Sequence, residues 1–377
     1  MKENEETIRV AQVIGKMAGG GVESFIMNYY RNIDKSKIQF DFIIDSDSTV
    51  VPRKEIENMG GRIIEVPPYQ QIFKYIKTLK KIFKDNDYKI VHSHLNSLSV
   101  FPLYCAKRVK VPIRIAHSHS TTNKKEWKKD LLKNVLKRFS KLYANQYFAC
   151  SEHAAKWLFG KRTFSKGKIT IIHNAIDVEK FKYNEKTRKE IRERLNIENK
   201  LVIGNVGRFM KQKNHDLLID IFNEIHKYNK DTVLLLIGEG PLENEIKQKV
   251  NELGLEKCVC FLGVINNVNE YMQAMDVFLF PSLYEGLGMV LVEAQTAGLK
   301  CITSTEVPRE VKLTELVEFI PLREPIELWK NSVLENIDTN RETKVTSSIR
   351  NKNYDIKTES RKIVEKYFEL LDFKGGK

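Results

Sequence analysis

Two glutamates in the C-terminal third of the chain, Glu285 and Glu293, stand eight positions apart around a glycine-containing turn. The segment that holds them, FPSLYEGLGMVLVEAQTAGL (280–299), predicts a buried strand, a turn and the start of a helix. Such a turn aims free backbone N–H groups and the helix dipole at one point, which suits a phosphate. Carboxylates beside it are natural acceptors for paired hydroxyls. A nucleotide sugar carries hydroxyls at both ends and a diphosphate between them.

Two cations follow an earlier predicted strand, over residues 201–206. Arg208 and Lys213 lie five positions apart, where that strand ends and the next helix begins. Together they could neutralise a diphosphate and stabilise it as it departs. Lys211 is an alternative to Lys213, and a solvated surface role is the alternative for any isolated cation.

Four histidines follow two successive strands, His92 and His94 in IVHSHL and His117 and His119 in RIAHSHST. A metal site is one interpretation, but it requires convergent ligands, and the side chains of each strand alternate between faces. The alternatives are structural histidines, or histidines that line a substrate pocket.

A glycine-rich turn follows the first predicted strand and includes Gly20 and Gly21, where a phosphate or an acceptor could approach the backbone. It is not a dinucleotide-binding fingerprint, since Ser24 stands where the third glycine is expected. Asp45, after the second strand, keeps an NAD-dependent oxidoreductase open as an alternative. With Asp47 it also forms a D-x-D pattern, which we interpret as a solvated loop and not as a metal site.

Alternating strands and helices predict an α/β protein with two doubly wound, parallel-sheet domains. We predict seven strands in the first half, near residues 8–14, 38–44, 62–66, 89–92, 112–117, 146–150 and 168–172. Six more are predicted in the second half, near residues 201–206, 231–237, 258–261, 277–280, 300–303 and 317–320. The domains are predicted over 1–183 and 184–356.

The charge of the chain is uneven. Residues 1–183 carry 34 Lys and Arg against 18 Asp and Glu, whereas the rest carries 29 against 31. Two basic segments, 73–84 and 124–143, have apolar residues at helical spacing, with Phe73, Ile76, Leu79, Ile82 and Phe83 in the first. Such helices suit an anionic membrane surface, although the apolar stripe could simply pack on the domain. No nucleic-acid-binding motif is present, so nucleic acid is not an expected partner.

The cysteine content and the absence of long apolar runs bear on metal binding and on the cellular compartment. The five cysteines, an odd number, predict reduced buried thiols and no zinc site. The chain shows no apolar run of the length that spans a bilayer and no signal peptide, which predicts a cytoplasmic protein.

The order of these motifs resembles the retaining GT-B glycosyltransferases of family 4. The resemblance covers nearly the whole chain and rests on the segment 280–299 together with GNVGRFMKQKNHDLLI (204–219), LLLIGEGPLENEI (234–246), HNAID (173–177) and MAGGGVESF (17–25). Ala175 departs from the family pattern, which usually has glycine there. The resemblance implies a GT-B fold, with two Rossmann-like domains facing a cleft and a last helix, 357–377, that packs back on the first domain.

The resemblance also implies roles for the donor-site residues. Arg208 and Lys213 would hold the leaving diphosphate, with Lys213 fitting the motif better than Lys211. Glu293 would bind the nucleotide ribose and Glu285 the transferred sugar. The backbone around the segment Leu287, Gly288 and Met289 would contact sugar and phosphates.

In the first domain, the resemblance implies that His119 contacts the donor sugar, with His117 as the alternative. The implied activity is retaining transfer of a hexose from a nucleotide sugar, UDP-linked by expectation, without a metal or other cofactor. The expected acceptor is a saccharide or lipid-linked saccharide in cell-surface polysaccharide synthesis, at the inner face of the membrane. An epimerase or hydrolase of nucleotide sugars on the same scaffold is the alternative.

Overall fold

The computed structural model describes residues 7–119, 136–335, 341 and 345–375. The chain forms two compact units, Met1–Ala175 with Ile356–Lys377 and Ile176–Asp355. Most of the predicted basic helix 124–143 lies outside the described residues.

A seven-stranded parallel sheet forms the centre of the first unit, in the order β3-β2-β1-β4-β5-β6-β7. Its inner strands β1, β2, β4 and β5 are mostly apolar and largely buried, as is usual in parallel sheets, whereas the edge strands β3 and β7 are only partly buried. They are β1 Ile8–Gly15, β2 Ile38–Asp45, β3 Arg62–Val66, β4 Ile90–Ser93, β5 Ile113–Ser118, β6 Gln146–Ala149 and β7 Ile169–Ile171. The helices are α1 Gly21–Asn32, α2 Arg53–Asn58, α3 Ile72–Asp85, α4 Val100–Arg108, α5 Glu152–Phe159 and α6 Lys161–Ser165.

A six-stranded parallel sheet forms the centre of the second unit, in the order β10-β9-β8-β11-β12-β13. Its strands are β8 Leu201–Val206, β9 Thr232–Ile237, β10 Val259–Phe261, β11 Val277–Phe280, β12 Lys300–Ser304 and β13 Val317–Ile320. The helices are α7 Val178–Phe181, α8 Glu185–Leu195, α9 His215–Tyr228, α10 Glu243–Glu252, α11 Val268–Ala274, α12 Met289–Thr296, α13 Ile326–Glu335 and α14 Val345–Asn351. The predicted α/β architecture and all thirteen predicted strands are confirmed.

Each sheet changes winding direction once, and this creates a crevice at the carboxyl ends of the strands. In the first unit the change falls between β1 and β4, and in the second unit between β8 and β11. Residues that directly follow these strands are therefore the ones placed to meet a ligand.

The last helix, α15 (Ile356–Gly375), returns to the first unit, where Tyr367 is fully buried and Ser360 donates a hydrogen bond to the Asn32 carbonyl. The units divide after Ala175, earlier than the predicted boundary at 183/184. The physical reason is that the following residues already pack on the second unit: Val178 is fully buried in its core.

Helix α3 differs from the predicted apolar stripe at one residue, Phe73. Leu79 and Phe83 are buried as expected, together with Tyr75. Phe73 was predicted on the same stripe, but it is 88% exposed, because its angular position on the helix turns it away from the buried residues Tyr75, Leu79 and Phe83.

Candidate functional site

An ion pair joins the two loops at the winding change of the second unit. Lys213 Nζ lies 2.7 Å from Glu285 Oε1, and the side chains are only 16% and 7% exposed. Lys213 closes a 3₁₀ turn after β8, whereas Glu285 follows β11. A largely buried ion pair of this kind requires good geometry and further hydrogen bonds, because both groups have lost water.

Those further bonds come from Gln212. Its side-chain NH₂ group donates to Glu285 Oε2 at 3.2 Å and to the Tyr284 carbonyl at 3.0 Å, while its backbone carbonyl accepts from the Leu283 N–H. The Phe280 ring completes the surroundings of Lys213, with the ammonium 4.7 Å from the ring centre. The ammonium is therefore held in one place by a carboxylate and an aromatic face.

Sequence reasoning missed both Gln212 and Phe280 as parts of this site. Gln212 stands between Lys211 and Lys213 in the basic motif, and an uncharged side chain there gives no sign in the sequence of a role beside a diphosphate. Phe280 ends β11 and was interpreted only as an apolar core residue. Its place at the carboxyl end of a strand beside the winding change is the signal that could have identified it.

Arg208 is exposed, and among the described residues it has no ion-pair partner. Its loop lies directly against the loop after β9: a Cβ on Gly238 would approach the Gly207 carbonyl oxygen to 2.2 Å, and one on Gly240 the Phe209 carbonyl oxygen to 2.4 Å. Only glycine permits this approach of backbone to backbone. The loops thus hold the Arg208 backbone in place and leave its side chain free.

The turn before helix α12 has the predicted form. Gly288 adopts a left-handed conformation, with φ +84°, and precedes the first residue of the helix, Met289. Leu287 is buried, so its side chain anchors the turn while the backbone remains available. The amino end of α12 brings its free N–H groups to the same strand edge as Glu285.

Glu293 lies within α12, and the described residues offer its carboxyl group no hydrogen-bond or ion-pair partner. Burial raises the pKa of Glu293 to about 7, although the charge of Lys180 acts in the opposite direction. The structure therefore joins Lys213 and Glu285 in an ion pair and places Arg208 and Glu293 on neighbouring elements, with no hydrogen bond or ion pair to Lys213 or Glu285 among the described residues. An unpartnered, largely buried carboxyl group is available to accept hydrogen bonds from ligand hydroxyls.

In the first unit, the glycine-rich turn is occupied by a carboxylate of the protein. Glu23 accepts hydrogen bonds from the N–H groups of Gly20 and Ala18, in the manner of a capping box for α1. A phosphate at this turn would have to displace Glu23. Gly21 faces open space, so the turn leaves room for a neutral group.

The loop after β2 holds the D-x-D pattern. Asp47 pairs with Lys16 at 2.8 Å, and both side chains are about half exposed. Asp45 is buried, and burial raises its pKa to about 6, with the charge of Asp47 acting in the same direction.

The four histidines form one buried cluster beneath the carboxyl ends of β4 and β5. Burial lowers the pKa of His119 to about 3 and that of the other three well below their usual range, so the imidazoles are neutral. Ligand atoms of His92, His94 and His117 lie within 4.8 Å of one another, which makes these three a group that could hold a metal ion.

Hydrogen bonds within the cluster already use most of these nitrogens. His92 Nε2 lies 3.0 Å from His117 Nδ1, and both ring nitrogens of His94 have partners at 2.7 Å. The rings of His92 and His94 are stacked, with centres 4.2 Å apart. A metal ion would have to break these hydrogen bonds and turn the rings, because stacked imidazoles do not direct their lone pairs at one point.

Among the described residues, no helix has both the length and the apolar character that crossing a bilayer would require.

Comparisons with known proteins agree with this geometry. Residues 187–312 match the family model described as "Glycosyl transferases group 1", and residues 19–180 match "Glycosyltransferase Family 4". The chain is 35% identical over 337 residues to a Bacillus subtilis protein that carries the name "Putative glycosyltransferase EpsF", with 88% of each chain covered. A Staphylococcus aureus capsular polysaccharide biosynthesis glycosyltransferase, CapH, is 28% identical, with 79% of this chain and 81% of that one covered.

A solved structure of Anabaena HepE in complex with UDP superimposes with a TM-score of 0.79, at 19% identity, and covers 96% of this chain and 100% of that one. The likeness shows a shared fold. Taken with the extended identity to EpsF and with the two family models, it leads to one conclusion: this chain belongs to the GT-B glycosyltransferases of family 4.

Proposed function

We propose that the protein transfers a hexose from a UDP-sugar, with retention of anomeric configuration, to a saccharide or lipid-linked saccharide during cell-surface polysaccharide synthesis. Solved structures of the same fold were determined with UDP and with UDP-glucose, which supports a UDP-linked donor. One relative, from Escherichia coli, is named a galactosyltransferase acting on a diphosphoundecaprenol-linked sugar, which supports a lipid-linked acceptor.

The observation that carries the proposal is the Lys213–Glu285 pair at the winding change of the second unit. Its ammonium has three N–H donors, and the Glu285 contact leaves others free for phosphate oxygens. Because the ammonium is already desolvated and fixed, it can stabilise charge on the departing diphosphate without reorganising. Glu285 holds this cation in place and, in the proposal, also accepts from a hydroxyl of the transferred sugar.

The other proposed contacts to the nucleotide sugar come from residues at the same edge of the sheet. Arg208 would add a second cation for the diphosphate, and the backbone at Leu287, Gly288 and Met289 would donate N–H groups to it. Glu293 would accept hydrogen bonds from the ribose hydroxyls. With two protein cations on the leaving group, the proposed reaction needs no metal ion.

Replacing Lys213 with Ala tests the donor site. We expect kcat to fall about 100- to 1,000-fold, the loss typical of one preorganised charge-stabilising group. Lys211→Ala is the matched control, since Lys211 lies in the same 3₁₀ turn, is exposed and carries the same charge. Equal effects of the two substitutions would reduce the role of Lys213 to surface charge and would refute the proposal.

The same assay separates transfer from other reactions of nucleotide sugars. Release of UDP should depend on added saccharide acceptor. Donor consumption that is independent of acceptor would indicate a hydrolase, and interconversion of the donor sugar would indicate an epimerase.

We also propose that α3 binds the inner, anionic face of the cell membrane. Lys74, Lys77, Lys81 and Lys84 are exposed on this helix, and the exposed ring of Phe73 lies beside the first of them. Each such lysine contributes about 1 kcal/mol near an anionic surface. Replacing the four lysines with Gln should abolish sedimentation with phosphatidylglycerol vesicles, whereas phosphatidylcholine vesicles serve as the control that neither protein should bind.

A further inference from the structure

The buried histidines are joined in two hydrogen-bonded chains that both start at Gln12, in the middle of β1. In the first chain, Gln12 Oε1 lies 2.7 Å from His94 Nε2, and His94 Nδ1 lies 2.7 Å from His119 Nε2. Gln12 is 1% exposed and His94 is 3% exposed, so water does not compete for these bonds.

The second chain runs in the other direction from the same amide. Gln12 Nε2 lies 3.3 Å from the Tyr367 hydroxyl, which lies 2.7 Å from His92 Nδ1. His92 Nε2 then lies 3.0 Å from His117 Nδ1, and His117 Nε2 is buried without a hydrogen-bond partner. Tyr367 belongs to α15, so the last helix of the chain takes part in this network.

A neutral imidazole carries one N–H, so a nitrogen that donates forces the other nitrogen of the same ring to accept. All four histidines are neutral because burial lowers their pKa values. The direction of the Gln12–His94 hydrogen bond therefore determines that of the His94–His119 bond, and the direction of the Tyr367–His92 bond determines that of the His92–His117 bond.

The Gln12 amide sets that direction. Its oxygen accepts from His94 Nε2–H, which leaves His94 Nδ1 to accept from His119 Nε2–H. His119 Nδ1 is then a bare lone pair. Within the described part of the chain this nitrogen has no hydrogen-bond partner, and His119 is the member of the cluster that remains partly exposed.

The second chain is consistent with the same amide orientation. The Gln12 NH₂ group donates to Tyr367, whose hydroxyl donates to His92 Nδ1, so His92 Nε2–H donates to His117 Nδ1. The proton of His117 then lies on Nε2. The rings of Phe25 and His117 are nearly perpendicular, at 83°, with their centres 5.2 Å apart. This geometry allows the His117 N–H to contact the π face of Phe25.

We propose that Gln12 is a positioning residue that fixes the tautomer of His119 through His94, so that His119 offers an acceptor to its ligand. A bare lone pair pairs with an O–H donor and repels phosphate oxygens. The group that His119 recognises is therefore a sugar hydroxyl and not the diphosphate. The identity of that hydroxyl rests on the proposed function, whereas the tautomer does not.

Long-range ¹H–¹⁵N correlation spectra of the full-length protein, labelled with ¹⁵N-histidine, read each tautomer directly and need no ligand. We expect Nε2–H tautomers for all four clustered histidines. An Nδ1–H tautomer at His119 would overturn the proposal. If the tautomers are as expected but no sugar transfer is found, the proposed function fails and the assignment to Gln12 stands.

Two variants test the causal role of the amide. Gln12→Glu is recorded at a pH above the pKa of the introduced carboxyl group, which burial raises. The ionised side chain has only acceptors, so it should preserve the His94 and His119 tautomers while reversing His92 and His117 to Nδ1–H. Tyr367→Phe is the control, since it should disturb His92 and His117 alone. A Gln12→Glu protein in which His119 changes tautomer, or in which His92 does not, would refute the mechanism.

Kinetics then separate positioning from simple packing. Gln12→Leu removes the acceptor for His94, and kcat/KM should fall about tenfold, the loss of one hydrogen bond. Gln12→Glu should restore most of that loss, because it restores the acceptor. Equal losses in the two variants would show that the residue only fills space.

Discussion

Substituting Glu293 with Gln should make the ligand-free protein more stable at alkaline pH and, at the same time, a weaker nucleotide binder. Burial raises the pKa of this carboxyl group from its ordinary 4.5 to about 7. A carboxyl group whose pKa is higher in the folded state binds its proton more tightly there than in the unfolded chain. Its contribution to stability is complete below about pH 4.5 and is lost as the pH rises through about 7.

The magnitude follows from the shift. One pKa unit corresponds to about 1.4 kcal/mol, so ionising Glu293 in the folded protein at pH 8 costs about 1–3 kcal/mol. The lower figure allows for water that reaches the partly exposed side chain. Glutamine keeps the shape of the side chain and removes the ionisation. For a domain of this size, the gain corresponds to a rise in Tm of roughly 3–8 °C at pH 8.

The assay is thermal unfolding of wild type and Glu293→Gln at pH 5 and at pH 8 without nucleotide, followed by titration with UDP. The difference in Tm should be large at pH 8 and small at pH 5. Affinity for UDP should fall about 10- to 100-fold in the variant, because a charged hydrogen-bond acceptor is lost.

Glu285→Gln is the matched control at the same strand edge. Glu285 is paired with Lys213, so the same chemical change leaves a buried ammonium without its carboxylate and should destabilise the protein. An equal gain for Glu293→Gln at both pH values, or no gain at pH 8, would refute the reasoning, because either result shows that the ionised carboxylate is not penalised by burial.

Three further predictions follow from the same structure. Acid should destabilise the first unit by about 1 kcal/mol for each buried neutral histidine between pH 6.5 and 5.5, because the unfolded chain binds those protons and the folded chain does not; urea titrations at the two pH values should show this loss. Gly240→Ala should lower both Tm and nucleotide affinity, because the new Cβ would lie 2.4 Å from the Phe209 carbonyl oxygen. Gly286→Ala is the control and should change neither Tm nor affinity, because no atom lies within 4 Å of the position of its Cβ. EDTA should leave sugar transfer intact, and loss of transfer that Mg²⁺ restores would contradict the proposed metal-free mechanism.

The strands could be predicted from the sequence because each is a short apolar run bounded by polar or glycine-containing turns. VLLLI before Gly238 is typical, and the structure buries every residue of β9. Parallel strands covered on both faces leave little ambiguity between alternatives. The boundary between the units was harder to predict, because the residues around the predicted boundary at 183/184 are mostly polar, whereas Val178, a few positions earlier, is already a core residue of the second unit.

That Lys213 and Glu285 lie at one strand edge was predictable, whereas the side chains that surround them were not. Residues that follow parallel strands share one edge of the sheet, so Lys213 and Glu285 could be placed near each other from the order of the motifs alone. The hydrogen bond from Gln212 to Glu285 joins residues 73 positions apart in the sequence, and the bond from Gln12 to Tyr367 joins residues 355 positions apart. Contacts between residues so distant in the sequence leave no local pattern. Gln12 did carry a signal, since it is a polar residue inside the apolar strand IRVAQVIG and needed a buried partner.

The two glutamates show why sequence alone could not distinguish their roles. Both stand in one motif and both are largely buried, yet Glu285 has an ammonium at 2.7 Å, whereas Glu293 has no ion-pair or hydrogen-bonding partner among the described residues. The first carboxylate is stabilised by its surroundings and can hold a cation in place. The second is destabilised by burial until a ligand donates hydrogen bonds to it. Two carboxyl groups in such different environments can have different functions. Nucleotide binding should therefore reduce the free-energy cost of ionising Glu293 and leave the Lys213–Glu285 ion pair intact.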